Sequence, residues 1–247
     1  MGRNAGMTRE QCYRCFWPKD LCWCPSIEPM PTRTRFVFLM HPKEFKREKL
    51  ATGRLTHICL PNSEIHMGIG FDEHAKVQAL LADPQYQPML LYPSEGARDL
   101  GKGDLAPADL GDRQLLVVLL DATWMLARKM LRMSPSLQRL PRIMFTPSQP
   151  SRYVIKRQPQ AGCLSTLEAT HELLVSLDRA GLDEYTMPEQ LLDLFGRVQD
   201  YQLRRASDPN RTGYRLRHQT RPEDRVAEPA PRKVRRRRFL PPAAPDA

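Results

Sequence analysis

Residues Leu115–Met130 read LLVVLLDATWMLARKM, and this stretch decides the fold. Leu115–Leu120 is an unbroken apolar run of Leu and Val. A short run of that kind, without polar alternation, fits a strand buried on both faces, as in a parallel sheet. It stops at Asp121, and Thr123-Trp124 then opens a helical pattern carrying Arg128, Lys129 and Arg132. In open α/β sheets, ligands sit at the carboxyl ends of the strands. Asp121 therefore stands where chemistry is usually done, with an aromatic and a cluster of cations beside it. A second reading is that Asp121 only caps the next helix.

Further strands are predicted at Arg35–Met40, Glu64–Gly68, Met89–Tyr92 and Arg142–Phe145. Glu44–Cys59 reads as one helix, with a basic face (Lys43, Lys46, Arg47, Lys49, Arg54) and Leu50, Leu55 and Ile58 turned inward. Asp72–Leu81 reads as another. Ser165-Thr166-Leu167-Glu168 is a capping box, in which the Ser165 hydroxyl and the Glu168 carboxylate each accept from the other residue's amide. Leu167, Leu173, Leu174 and Leu177 keep that helix apolar on one face, and Gly181 supplies its stop. A last helix is predicted from Pro188 to Ala206. Strands alternating with helices predict an α/β fold with a mostly parallel sheet and flanking helices.

The chain has 247 residues and is 41% hydrophobic, enough for a real core. No run of about 18 apolar residues predicts a membrane span. The first residues, MGRNAGMTREQC, lack the apolar segment of a signal peptide and the Ser or Thr of a myristoylation motif. A soluble, cytoplasmic protein is expected. Six cysteines in such a reducing compartment point to metal or catalytic use instead of disulfides. The net charge is +10, and residues 204–247 carry 13 Lys/Arg against 5 Asp/Glu. Three regions follow: a Cys-rich module over 1–30, an α/β domain over 31–206, and a basic tail over 207–247 whose composition predicts disorder. Such a tail either attracts RNA phosphates without sequence choice or is merely solvated.

Cys12-x2-Cys15-x6-Cys22-x-Cys24 gathers four thiols within 13 residues. Four soft donors at this spacing suit a closed, structural zinc site. Cys59 and Cys163 fall in apolar surroundings and read as core residues. Arg14, Trp17, Lys19 and Trp23 interleave with the ligands. They read either as a stacking and charge grip on nucleic acid or as the module's own small core. His41 and His66, near strand ends, read as structural.

These features together resemble the DTW-domain family, which includes tRNA-uridine aminocarboxypropyltransferases. Asp121-Ala122-Thr123-Trp124 matches the family's D-x-T-W signature. It is joined by the four cysteines, by Thr52-Gly53-Arg54-Leu55, by Ser151-x-Tyr153 and by Leu164-Ser165-Thr166-x-Glu168-Ala169. The matching elements run in order over roughly residues 12–180. Lys156 stands where the family pattern has an arginine after Ser-x-Tyr, and it keeps the charge without the planar fork.

The resemblance implies a SPOUT-like fold with a knotted C-terminal half, S-adenosylmethionine as donor and tRNA as partner. The transferred group would be the 3-amino-3-carboxypropyl arm, delivered to N3 of a tRNA uridine. Asp121 is the candidate general base, with Thr123 and Trp124 beside it; Asp121 could instead order the loop. Trp124 either stacks on a base or packs under the sheet. Candidate donor-binding residues are Met67, Gly68, Tyr92, Pro93 and Ser94 in strand-end loops, and Asp121, Leu164, Ser165 and Thr166. The helix start at Ser165 and Thr166 could hold a carboxylate. Candidate RNA contacts are Arg54, Arg128, Tyr153, Lys156 and Arg157. A related RNA methyltransferase, a transferase acting on ribosomal RNA and a non-enzymatic zinc-ribbon RNA-binding protein are the competing readings.

Overall fold

Leu115–Leu120 forms the middle of a six-stranded sheet. The computed structural model describes residues 10–47, 51–155 and 162–207, the side chains of Lys46, Arg47 and Ala206 aside. In chain order the elements are β1 (Arg35–Met40), α1 (Pro42–Arg47), α2 (Thr52–Cys59), β2 (Ser63–Met67), α3 (Ala75–Ala82), β3 (Tyr86–Leu91) and β4 (Arg98–Asp99). They continue as α4 (Pro107–Leu110), β5 (Gln114–Asp121), α5 (Trp124–Arg132), α6 (Pro135–Gln138), β6 (Arg142–Met144), α7 (Thr166–Arg179) and α8 (Pro188–Ala206). The strand order is β2-β1-β5-β3-β6-β4 and every pairing is parallel.

Both faces of β5 are covered, which is why its sequence shows no alternation. Leu115, Val117 and Leu119 join Phe36 and Phe38 of β1 in one core, beneath α2, α7 and α8. Leu116 and Val118 join Val37 and Leu39 in a second core, beneath α3, α5 and α6. Successive side chains on a strand point to opposite faces, so a strand between two helical layers must be apolar at every position. Each fully buried Leu or Val contributes on the order of 1.5–3 kcal/mol. Cys59 and Cys163 are buried, as their surroundings predicted.

Two local expectations change, and one strand is added. The single helix predicted over Glu44–Cys59 is two, α1 and α2, with Ala51 extended (φ −66°, ψ 90°) just before α2. The break gives α2 its own axis, and its first turn meets the end of β5. The helix predicted from Asp72 begins at Ala75, where the His74 ring accepts from the Val77 amide at 3.4 Å and caps the turn. The two-residue edge strand β4 has no sequence signature, because two residues cannot display a period. Residues 208–247, most of the predicted tail, lie outside the described residues. Among those described, no helix is long and apolar enough to cross a membrane.

The Cys-rich segment packs directly on the sheet domain. Cys15, Trp17 and Met30 belong to the same core as α7 and α8. Trp17 and Trp23 stand edge-on to each other at 5.7 Å, and Tyr201 of α8 closes the cluster at 5.5 and 6.2 Å. Gln190 of α8 clamps Glu28 by accepting from its amide (2.9 Å) and donating to its carbonyl (2.7 Å). Of the two readings of Trp17 and Trp23, the structure supports the small core, now shared with α8.

Candidate active site

α7 starts where the capping box predicted it. Ser165 is the N-cap, its Oγ accepting from the Glu168 amide at 3.3 Å, while the Glu168 carboxylate accepts from the Ser165 amide at 2.9 Å. That carboxylate does more than cap. Only 4% exposed, it also accepts from the hydroxyls of Ser165 (2.7 Å) and Ser151 (2.9 Å) and from the Arg152 amide (2.5 Å). A buried charge is tolerated when donors surround it. Here the donors come from two segments, so Ser151-x-Tyr153 is tied to the first turn of α7. Gln199 of α8 holds the same loop, accepting from the Val154 amide at 2.8 Å and donating to the Arg152 carbonyl at 3.2 Å. The Tyr153 ring packs against Phe195 at 5.1 Å.

Thr166, next along, reaches the central strand. Its hydroxyl donates to Oδ1 of Asp121 at 2.6 Å. Asp121 is the last residue of β5 and is 5% exposed. Its backbone is fixed too: it lies opposite Met40 in the β1–β5 register, and its carbonyl accepts from the His41 amide at 3.1 Å. The N-cap of α5 is Thr123, not Asp121.

The other side of the Asp121 carboxylate rests against α2. A Cβ on Gly53 would stand 2.3 Å from Oδ2, so only glycine lets the helix backbone come this close. Arg54 follows. Its guanidinium lies over the rings of Phe16 (4.3 Å) and Phe45 (4.6 Å) and donates to the Phe45 carbonyl at 3.0 Å. Burial draws its pKa down and the nearby Asp121 charge draws it up. At 6% exposure this cation is embedded in the site, not free on the surface. Three separated sequence motifs, Thr52-Gly53-Arg54, Asp121 and Ser165-Thr166, thus meet at one strand end.

Beside them a cavity of about 370 Å³ opens over the carboxyl ends of β3, β5 and β6. Tyr92, Pro93, Trp124, Leu164 and Thr166 are among its walls. Tyr92 and Trp124 meet edge-on at 6.2 Å, and Arg142 covers the outer face of Tyr92 at 5.6 Å. Among the described residues, no wall residue carries a charge. The size and apolar lining suit an organic ligand of cofactor size.

The candidates from sequence fall into groups. Asp121, Thr123, Trp124, Tyr92, Pro93, Leu164, Ser165 and Thr166 gather around the cavity and the end of β5, with Ser94 next to Pro93 in the same loop. Met67 and Gly68 lie at the end of β2, beyond β1, and Met67 faces a different hollow. A Cβ on Gly68 would meet the Phe71 ring at 2.8 Å, so this glycine serves packing. Arg128 is exposed on α5. Lys156 and Arg157 lie outside the described residues. His41 and His66 are buried, and desolvation lowers the pKa of both. Sequence reasoning missed the close approach of Gly53, the anchoring of Ser151 and Arg152 by Glu168, and the Phe145-Thr146-Pro147 wall after β6. A glycine in the first turn of a helix was the only hint of the first; the others depend on tertiary contact.

The four N-terminal cysteines converge with all sulfurs within 4.8 Å of one another. Cys12 and Cys24 are 3.8 Å apart, and Cys15 and Cys22 are 3.7 Å apart. A tetrahedral ion with metal–sulfur bonds of about 2.3 Å sets its ligand sulfurs about 3.8 Å apart. The backbone amides of Cys15 and Arg14 point at Cys12 and bring its thiol down to about 6. The cluster can hold a metal ion.

Gly53→Ala tests the contact between α2 and the carboxylate. Overpacking of this kind costs about 1–3 kcal/mol, so the urea-unfolding midpoint should fall. The loss should be smaller when Asp121→Ala is already present, because the two changes share one contact. Equal losses in both backgrounds would show that Gly53 and Asp121 do not press on each other.

A family model, the DTW domain, matches residues 9–203. The chain is 33% identical over 177 residues to tRNA-uridine aminocarboxypropyltransferase 2 of Drosophila melanogaster, covering 69% of this chain and 67% of that one. It is 32% identical over 203 residues to the mouse (Mus musculus) protein of the same name, covering 79% of this chain and 66% of that one. The chain thus spans about two thirds of the length of the curated relatives it matches. No solved structure gives a significant match. The matched span runs from just ahead of the first cysteine into α8 and includes every motif that converges on Asp121: the chain belongs to the DTW-domain family.

Proposed function

We propose that this protein transfers the 3-amino-3-carboxypropyl group of S-adenosylmethionine to N3 of a uridine in tRNA. The observation that carries the reading is the seating of Asp121 between the cavity wall at Thr166 and the α2 backbone at Gly53. The names of the relatives supply the substrate class and the transferred group.

The cavity would hold the donor, its adenine and ribose against Tyr92, Pro93 and Trp124. When bound, S-adenosylmethionine supplies a carbon made electrophilic by the neighbouring sulfonium. Uridine N3–H is a poor nucleophile while protonated. Asp121 would take that proton as N3 bonds to the arm's carbon while the carbon–sulfur bond breaks and methylthioadenosine leaves, a contribution of roughly 10²–10⁴ in rate. Thr166 holds Oδ1 on the cavity side, and the Gly53 backbone of α2 packs against Oδ2, so the carboxylate is fixed from both sides. The arm that moves carries a carboxylate of its own, which the start of α7 would receive at the amides of Thr166 and Leu167, those of Ser165 and Glu168 being engaged in the capping box. The related SPOUT architecture is part of the same proposal.

We also propose that the four cysteines hold a structural zinc ion, whose loss would loosen Trp17 and Trp23 from Tyr201. Zinc analysis of the purified protein should give one ion per chain. Removing it with a strong chelator should lower the melting temperature by about 4 °C or more, since about 1 kcal/mol moves a domain of this size by a few degrees. A metal-free protein with an unchanged melting temperature would refute the structural role.

The transfer is tested with unmodified tRNA transcript and isotopically labelled S-adenosylmethionine, followed by nucleoside mass analysis. A 3-aminocarboxypropyl-uridine should appear with an equal amount of methylthioadenosine. Asp121→Asn should reduce turnover at least about 100-fold with donor binding retained. A methylated nucleoside in place of the larger product would overturn the proposal, and a near-normal rate for the variant would remove Asp121 as the base.

A further inference from the structure

A second hollow, of about 660 Å³, lies between the cysteine-rich module, α1, α2 and the end of β2. It is larger than the donor cavity and differs in chemistry. Arg14, Arg54 and His57 line it, together with three aromatics, Tyr13, Phe16 and Phe45, and among the described residues none of its lining is Asp or Glu. Among the described residues, five large hydrophobic side chains are exposed. Three of them border this hollow: Tyr13 at 91%, Met67 at 44% and Phe16 at 43%. Such a concentration of apolar surface beside cations marks a binding face.

The backbone supports the same conclusion. Phe16 follows the second cysteine with φ +59°, and it is the only non-glycine with positive φ among the described residues. Glycine would hold that conformation without strain. An aromatic is kept there instead, its ring covering Arg54 and meeting Phe45 edge-on at 5.6 Å. Phe16, Arg54 and Phe45 pack on one another along the hollow, and the exposed Tyr13 borders it. Arg54 is also the residue after Gly53, whose backbone touches Asp121. The hollow therefore lies against α2, whose Gly53 packs on Asp121, and among the described residues it shares no wall with the cavity over β3, β5 and β6.

We propose that this hollow takes an unpaired nucleobase of the RNA substrate, a neighbour of the target uridine, stacked on Tyr13 and Met67 with its phosphate near Arg14. Sequence-tolerant stacking on aromatics with cations alongside is how unpaired RNA is gripped. A protein partner would also cover apolar surface, but the exposed Arg14 at the rim, with no acid among the described lining residues, favours a phosphate-bearing occupant. The inference rests on the tRNA reading above, and its test separates the two.

Tyr13→Ala, Tyr13→Trp and Met67→Glu are made in the full chain. Tyr13 and Met67 are exposed, so melting temperature, zinc content and the heat shift with S-adenosylmethionine should match the parent. Binding is read by fluorescence anisotropy with labelled unmodified tRNA transcript and a labelled unstructured hexauridylate. Tyr13→Ala should raise Kd about five- to a hundred-fold, the effect of losing one base–aromatic stack; Met67→Glu should raise it by setting a carboxylate against the RNA phosphates; Tyr13→Trp should keep the parent's affinity. Unchanged Kd in both weakened variants would overturn the hollow as an RNA site, even if the parent modifies tRNA. Binding of both RNAs that depends on Tyr13, without any transfer, would support the hollow and overturn the transfer reaction alone. No RNA binding by the parent would overturn both. A concentration-dependent dimer that dissociates on Tyr13→Ala, with RNA affinity unchanged, would assign the face to a second copy instead.

Discussion

A carboxylate at the end of a strand buried on both faces must be compensated, and this one requirement organises the protein. Asp121 is carried by the central strand and cannot move to solvent without breaking the register that sets Met40 opposite it. Its compensation comes from elements far apart in sequence. Thr166 donates from the first turn of α7, α2 presents a bare glycine backbone, and Arg54 adds a positive field. Burial raises the cost of any unmet polar group, so these partners must all be in place together. The family motifs are the sequence trace of that joint constraint.

Glu168 plays a supporting part. A capping carboxylate normally serves its own helix. This one also fixes Ser151 and Arg152, so the loop after β6 and the helix that brings Thr166 to Asp121 are held as one unit. The cysteine-rich module acts similarly from the other side. Its tryptophans lock onto α8 while Phe16 reaches over α2 to cover Arg54. The walls of the cavity over β3, β5 and β6 and those of the second hollow are therefore both anchored outside the sheet.

Much of this was legible in the sequence. The apolar run of β5, the capping box at Ser165 and the cysteine spacing each express a local rule, and the structure realises all three. The parallel sheet followed from strands alternating with helices. What sequence could not supply were contacts made by folding. Gly53 reads as an ordinary helical glycine until β5 is set beside it. Trp17 and Trp23 look available for stacking until Tyr201, near the far end of the described chain, closes over them. Tyr13 and Phe16 attracted no notice because exposure has no local signature. The break between α1 and α2 was hidden by a basic and apolar pattern that continues across it.

The most direct test of the account is a crystal structure with S-adenosylmethionine bound. The account predicts the donor in the cavity over β3, β5 and β6, its adenine by Tyr92 and Trp124, and its sulfonium next to Thr166 with the aminocarboxypropyl arm turned toward Asp121. A donor lodged at another surface, or one whose methyl group alone faces Asp121, would contradict it.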